Sequence, residues 1–175
     1  HKFEPFAESL FPEGVTLGFS DYDEYLSLPQ RTREAIARGD KVLFQPRFEW
    51  NEFTCISDIV SFVEDGVVDL YEIKASTSVK VDHEFDLAFQ AAVIEGTGLK
   101  VRDIYVIHVN NKYVRHGEIE ADKITHIQDI NEKVRAKGEL TAKYMPMALA
   151  VAESDTMPDL DPSLAKLGSK ADWLT

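Results

Sequence analysis

Three short segments carry the side chains best suited to chemistry: Ser57-Asp58-Ile59-Val60, Leu70-Tyr71-Glu72-Ile73-Lys74, and a later helical stretch that holds Gln90. Residues two apart on a strand share a face, so Glu72 and Lys74 stand together while Tyr71 and Ile73 look the other way. An acid and an amine side by side on a β-prone segment are costly unless exposed or used. The loop Glu64-Asp65-Gly66 decides what faces them. A three-residue loop with Gly66 left-handed sets Val63 beside Val67 and, counting back, Asp58 opposite Glu72. A two-residue Asp65-Gly66 turn would set Asp58 against Ile73 and aim it away; the residues permit both. In the first register two carboxylates share one face, and they repel unless a cation or a proton lies between them. Mg2+ suits such a pair, because it takes hard oxygen ligands and keeps several waters beside one or two carboxylates. It would polarise a phosphoryl oxygen and acidify a water. Lys74 would hold that water or counter the charge developing on phosphate. The chemistry expected of the three residues is hydrolysis of a phosphodiester.

Holding these groups requires a small sheet with helices around it. Residues 1–20 have no clear period and read as an irregular arm. Ser20-Asp21-Tyr22-Asp23 offers helix caps, and Pro29 is expected to divide the helical stretch after them, leaving the better helix at about 29–39 before Gly39. Val42–Trp50 is aromatic and β-prone, with Pro46 marking an edge strand or bulge. Phe53–Val63 and Val67–Ala75 read as two more strands. Asp82 is expected to cap a helix to Gly96, its apolar side formed by Phe85, Leu87, Ala88, Ala91, Ala92 and Ile94. Val101–Val109 reads as a strand, with Lys112–Arg115 as a short partner. Residues 121–150 read as mostly helical, from the spacing of Ile124, Ile127, Ile130, Val134 and Leu140. The Asp-, Pro- and Ser-rich tail at 153–175 is expected to be loosely held. The order is helix, three-stranded meander, helix, strand, helices: an α/β single domain over 1–175, with its core at about 30–115 and a helical extension at 121–150.

The chain has 175 residues, 44% hydrophobic and 29% charged, in keeping with one globular domain that has a full core. No apolar run approaches the roughly 20 residues that cross a bilayer, and no leader pattern is read at the start. Cys55 stands alone, which rules out an internal disulfide, a four-cysteine zinc site and a cysteine-ligated iron–sulfur cluster. A reducing cytosol is the expected compartment. Lys and Arg total 19 against 31 Asp and Glu, a net charge of −12. A protein that grips a phosphate backbone is usually basic on at least one face. Arg31, Arg33, Arg38, Lys41 and Arg47 do fall in one stretch with only Glu34 and Asp40 as acids. They could hold such a backbone, or form a solvated helix face. The acidic balance also fits a part of a larger protein whose other domains or subunits hold the nucleic acid.

Asp58, then Glu72-Ile73-Lys74 on the next strand, then a helix with Gln90, resembles the PD-(D/E)XK nuclease superfamily and, within it, the RecB-type exonuclease branch. The resemblance covers roughly residues 30–115. It implies a restriction-endonuclease-like core, helix–three-stranded meander–helix–strand, with a mixed sheet flanked by helices. It implies Mg2+ or Mn2+ held by Asp58, Glu72 and the Ile73 carbonyl, with Lys74 catalytic and Gln90 the extra polar residue of that branch. The implied activity is metal-dependent hydrolysis of single- or double-stranded DNA, with exonucleolytic and internal cleavage both open, serving repair, recombination or defence. The chain departs from the branch where a tyrosine would follow the glutamine, here Ile94, and in having no histidine between His1 and His83 and no cluster cysteines. The alternatives are a catalytically inactive nucleic-acid-binding or protein-interaction domain of the same fold, and an unrelated α/β interaction domain.

Other polar residues have plainer readings. Glu34 and Glu49 could add a carboxylate to a metal site but read first as solvated charges. Asp86 lies one helical turn before Gln90 and reads first as a surface acid. His83 reads as a cap neighbour with phosphate contact as the alternative, His108 as a packed or surface residue, and His116 and His126 show no metal-ligand spacing. Cys55 reads as a small buried apolar residue. There is no Gly-rich phosphate loop and no G-x-S-x-G elbow, so neither a nucleotide-dependent ATPase nor a serine hydrolase is supported.

Overall fold

A computed structural model describes residues 2–156; most of the tail expected to be loose therefore lies outside the described residues. The chain divides into a first unit that ends at Ala142 and a second that starts at Lys143. The first unit holds α1 (Glu4–Glu8), β1 (Gly14–Thr16), α2 (Tyr22–Arg38), β2 (Val42–Phe44), β3 (Arg47–Trp50), β4 (Phe53–Ile56), β5 (Ile59–Glu64), β6 (Val67–Lys74), α3 (Val81–Gly96), β7 (Lys100–Val109), α4 (Ala121–Ile124), β8 (Thr125–Asp129) and α5 (Asn131–Arg135). A further helix, α6 (Gly138–Ala152), supplies all the described helix of the second unit. Among the described residues no helix is long and apolar enough to cross a membrane.

The class is α/β: a mixed six-stranded sheet, order β1-β2-β5-β6-β7-β8, flanked by helices, with β3 and β4 forming a separate hairpin sheet. β2, β5 and β6 run antiparallel in that order, but the stretches read as single strands, Val42–Trp50 and Phe53–Val63, are each broken in two, their inner halves leaving the main sheet as β3 and β4. β7 returns parallel to β6 after α3, as a crossover helix permits. One side of the sheet buries Ile59, Ile107, Val42 and Phe44 against Phe3 and Ala7. Apolar burial of this kind, at about 25 cal/mol per Å2, is the main stabilising term.

The arm at 1–20 is not irregular throughout. Pro5 opens α1 at a position where its missing N–H costs nothing, and β1 joins the sheet edge parallel to β2. Nor does Pro29 divide α2, which runs unbroken from its Asp21 cap to Gly39 (φ 85°). Proline cannot donate to the Tyr25 carbonyl one turn earlier. The buried Arg47 guanidinium does so instead, at 2.8 Å, while lying 3.9 Å from the centre of the Tyr25 ring and pairing with Glu49 at 3.0 Å. Arg31 likewise donates to the Leu17 and Gly18 carbonyls. Two of the clustered arginines are thus fixing backbone rather than facing solvent.

Three further expectations fail for local reasons. Lys112–Arg115 forms no strand; the partner of β7 is β8, inside the stretch read as helical. Ile124, Ile127 and Ile130 have helix-like spacing, but an edge strand takes its hydrogen bonds from its neighbour and tolerates an exposed Ile127. Asp82 is inside α3 rather than its cap; Lys80 holds that place, its N–H donating to His83 Nδ1 at 3.2 Å. His83 is therefore a cap partner.

Because Arg47 replaces the donor that Pro29 lacks, Arg47→Ala is expected to lower unfolding free energy in urea by about 2–4 kcal/mol. A loss below about 0.5 kcal/mol would show that the Tyr25 carbonyl is satisfied another way.

Candidate active site

The position of Asp58 depends on two irregularities. Gln45 adopts a left-handed backbone (φ 54°) as the chain leaves the main sheet for the β3–β4 hairpin. The hairpin returns at Ser57-Asp58, and its two ends are tied by Gln45 N to the Asp58 carbonyl at 2.9 Å and Ser57 N to the Pro46 carbonyl at 3.1 Å. Asp58 thus sits at the root of an excursion, one residue before β5 begins.

The second irregularity sets the register. β5 and β6 are joined by a two-residue Asp65-Gly66 turn, Glu64 facing Val67 and Gly66 left-handed at φ 70°. Carried through a regular ladder, that turn would set Asp58 against Ile73. A register shift between Phe62 and Glu64 absorbs one residue at Val63, so that Phe62 faces Val68 and Ile59 faces Tyr71. One step further, Asp58 stands across from Glu72. The turn is the shorter of the two alternatives, while the register is that of the longer.

At the open end of β6, Asp58 Oδ2 accepts the Ile73 N–H at 2.6 Å. A strand residue projects its N–H and C=O to the same side, so the Ile73 carbonyl also lies on the Asp58 side, where β5 has ended. Lys74 Nζ donates to Glu72 Oε1 at 2.7 Å. Gln90, buried on α3, donates from Nε2 to Glu72 Oε2 at 3.2 Å and to Asp86 Oδ1 at 3.4 Å. Its Oε1 is buried without a hydrogen-bond partner among the described residues. Asp86 is exposed, as read, and also borders the cluster, its Oδ2 standing 3.8 Å from Lys74 Nζ. The four side chains of the sequence reading, with Ile73, are brought together.

Phe3, Glu4, Asp58, Glu72, Ile73, Lys74 and Ala75 line a cavity of about 290 Å3 at this point. Glu4 was missed by sequence reasoning. Its one local signal is the Glu4-Pro5 pair that opens a helix, and nothing in that pair tells which face of the sheet α1 will cover. Glu34 and Glu49 are elsewhere: Glu34 is exposed and accepts from Gln30 at 2.9 Å, and Glu49 pairs with Arg47. Cys55 is buried, and burial pushes its thiol up to about 12, as expected of an inert residue.

Electrostatics set this cluster apart from other buried acids. Asp69 is matched by the Arg102 fork at 2.9 and 2.6 Å, and Glu84 by Lys137 at 3.4 Å. Glu72 is buried and Asp58 half-buried, and the described ion pairs join Lys74 to Glu72 and Asp86 but bring no cation to Asp58. Burial first, and then the Glu72 charge, push Asp58 up to about 7. Burial also raises Glu72, despite the Lys74 hydrogen bond. Burial works against the Lys74 ammonium, yet its hydrogen bond to Glu72 and that residue's charge prevail and raise its pKa. Lys74 is therefore a cation here and not a base.

Among the described residues no three His, Cys, Asp or Glu side chains converge so as to hold a metal by themselves. Two carboxylates, a backbone carbonyl and room for water do fit Mg2+ or Mn2+, which commonly takes one or two carboxylates and fills its shell with water and substrate phosphate. No protein-family model matches the chain, and no curated protein matches it.

The Asp58 carboxyl holds its proton more tightly folded than unfolded. Its stabilising contribution is complete below its ordinary value of 3.8 and is lost as pH rises through about 7. Asp58→Asn, neutral at every pH, is expected to melt at least about 2 °C above the wild type at pH 8 in chelator, and within about 1 °C of it at pH 4. Equal melting temperatures at pH 8 would contradict the desolvated pair.

Proposed function

We propose that the chain is a Mg2+- or Mn2+-dependent nuclease domain of the PD-(D/E)XK type, with a restriction-endonuclease-like core, acting on DNA. The observation that carries this reading is the meeting of half-buried Asp58, buried Glu72 and Lys74 around one cavity at the open end of β6, with the ammonium paired to Glu72. Asp58, Glu72 and the Ile73 carbonyl would hold the ion. Bound there, it would supply Lewis-acid polarisation of a phosphoryl oxygen and acidify a water.

The protein's own part is positional and electrostatic. Gln90 and Lys74 each take one oxygen of Glu72, fixing its rotamer. Lys74, held as an ammonium, counters negative charge that develops on the phosphate. The Ile73 N–H fixes Asp58 at the strand end. The paired strands and α3 exclude water from one side of the cluster, which strengthens each of these interactions. A single buried cysteine suits work in a reducing cytosol, in repair, recombination or defence, alone or beside further domains or subunits.

Cleavage of end-labelled single- and double-stranded DNA is expected with Mn2+ or Mg2+ and not in chelator. Lys74→Ala and Glu72→Ala should each reduce the rate by at least about 10²–10³-fold. Uncatalysed background with clean wild-type protein under both metals would favour the binding-domain alternative. Gradual ladders of products would indicate attack from ends, and early internal fragments an endonuclease.

A further inference from the structure

A second cavity, of about 270 Å3, is lined by Thr77, Ser78, His108, Lys112, His126 and Gln128 among others. Its lining shares no residue with the first, but strand pairing links the two. Lys74 is paired with His108 across the parallel β6–β7 ladder, and His108 with His126 across the antiparallel β7–β8 ladder. Residues paired in this way project to the same face, with about 4.8 Å between neighbouring strands. Lys74, His108 and His126 therefore stand in one row running away from the two carboxylates.

The chemistry of the second cavity is opposite to that of the chain as a whole. The protein carries a net charge of −12, yet no Asp or Glu lines this cavity. What lines it is an ammonium, imidazoles, hydroxyls and amides. The acid-free stretch continues through Asn110-Asn111-Lys112-Tyr113-Val114-Arg115-His116-Gly117. Lys112 and His126 make no ion pair with a described residue, whereas the nearby Lys123 is matched by Glu120 at 2.6 Å.

The lining is also held in place. Buried His108 is fixed between the Val109 carbonyl at 3.1 Å and Gln128 Oε1 at 3.2 Å, with the His126 ring tilted 5.0 Å from its own. Asn110 anchors the loop, donating to the Lys123 carbonyl at 2.9 Å and accepting the Lys112 N–H at 3.1 Å. Lys112 and His126 thus project from fixed backbone.

We propose that this cavity is a second phosphate subsite, which holds a phosphodiester group of the same DNA strand beside the one at Asp58 and Glu72; the proposal rests on the nuclease reading. Phosphate contacts of this kind fix the register of a strand without reading its sequence. An acidic protein would then need no broad basic face: one short, acid-free track leading from Lys74 would align the strand.

The test is anisotropy of a short labelled oligothymidylate in chelator across a salt series. It compares wild type, the double variant Lys112→Ala/His126→Ala, and Lys100→Ala as a charge-matched control at the far end of β7. The exposed positions chosen leave the fold intact, which a melting curve checks. The double variant is expected to bind about tenfold more weakly, with its salt slope reduced by about 0.7 per lost phosphate contact, and Lys100→Ala to bind like wild type. With Mn2+, the double variant should raise KM and leave kcat within about threefold, because the Asp58 site is untouched. Wild-type affinity and slope in the double variant would overturn the subsite, even if the wild type cleaves DNA. Weakened binding by the double variant, in a protein that never cleaves, would uphold the strand contact and sink the nuclease reading instead. An oligothymidylate that fails to bind wild type would overturn the subsite, while the nuclease reading stands or falls with the cleavage assay.

Discussion

Two neighbouring carboxylates partly or wholly withdrawn from water, with one ammonium paired to Glu72 and Asp86, form an incomplete charge set, and much of this fold is arranged around keeping them there. Moving a carboxylate out of water costs several kcal/mol unless charge and hydrogen bonds replace the solvent. Asp69 obtains that replacement from the Arg102 fork. Asp58 has one backbone N–H, and Glu72 has Lys74 and Gln90, with Asp86 adding a further negative charge. The raised Asp58 pKa is the consequence: burial first, and then the Glu72 charge, favour the protonated carboxyl. A strained left-handed Gln45 and a bulge at Val63 hold the arrangement against that repulsion. Local strain that serves only to aim a polar side chain is characteristic of functional sites.

The parts legible in the sequence are those that depend on period and local chemistry. Alternation in Leu70–Lys74 put Glu72 and Lys74 on one face, and the order of β2, β5, β6, α3 and β7 followed from turn residues and apolar runs. Gln90 fell on the inward side of α3 because it keeps helical spacing with Leu87 and Ile94. The register was harder. Turn chemistry alone could not predict that a shift at Val63 would restore the pairing that the Asp65-Gly66 turn displaces.

What escaped the sequence is non-local. A proline in a helix reads as a break unless one knows that Arg47, distant along the chain, replaces the lost donor. Glu4 reaches the cavity only because α1 packs Phe3 and Ala7 on the sheet. β8 was hidden because three isoleucines spaced by three satisfy a helix as well as an edge strand whose hydrogen bonds come from β7. The clustered arginines looked like a phosphate-binding face, but Arg31 and Arg47 are committed to backbone carbonyls. The acid-free track lies at Lys112 and His126, on either side of a stretch that bulk composition makes look unpromising.

Titration of Mn2+ at pH 8, followed by calorimetry on wild type, Asp58→Asn and Glu72→Gln, bears most directly on whether the two carboxylates share a cation. Saturable binding by wild type that falls by at least about tenfold in each variant is the expected result. Binding of equal strength in all three proteins, or none in the folded wild type, would contradict it.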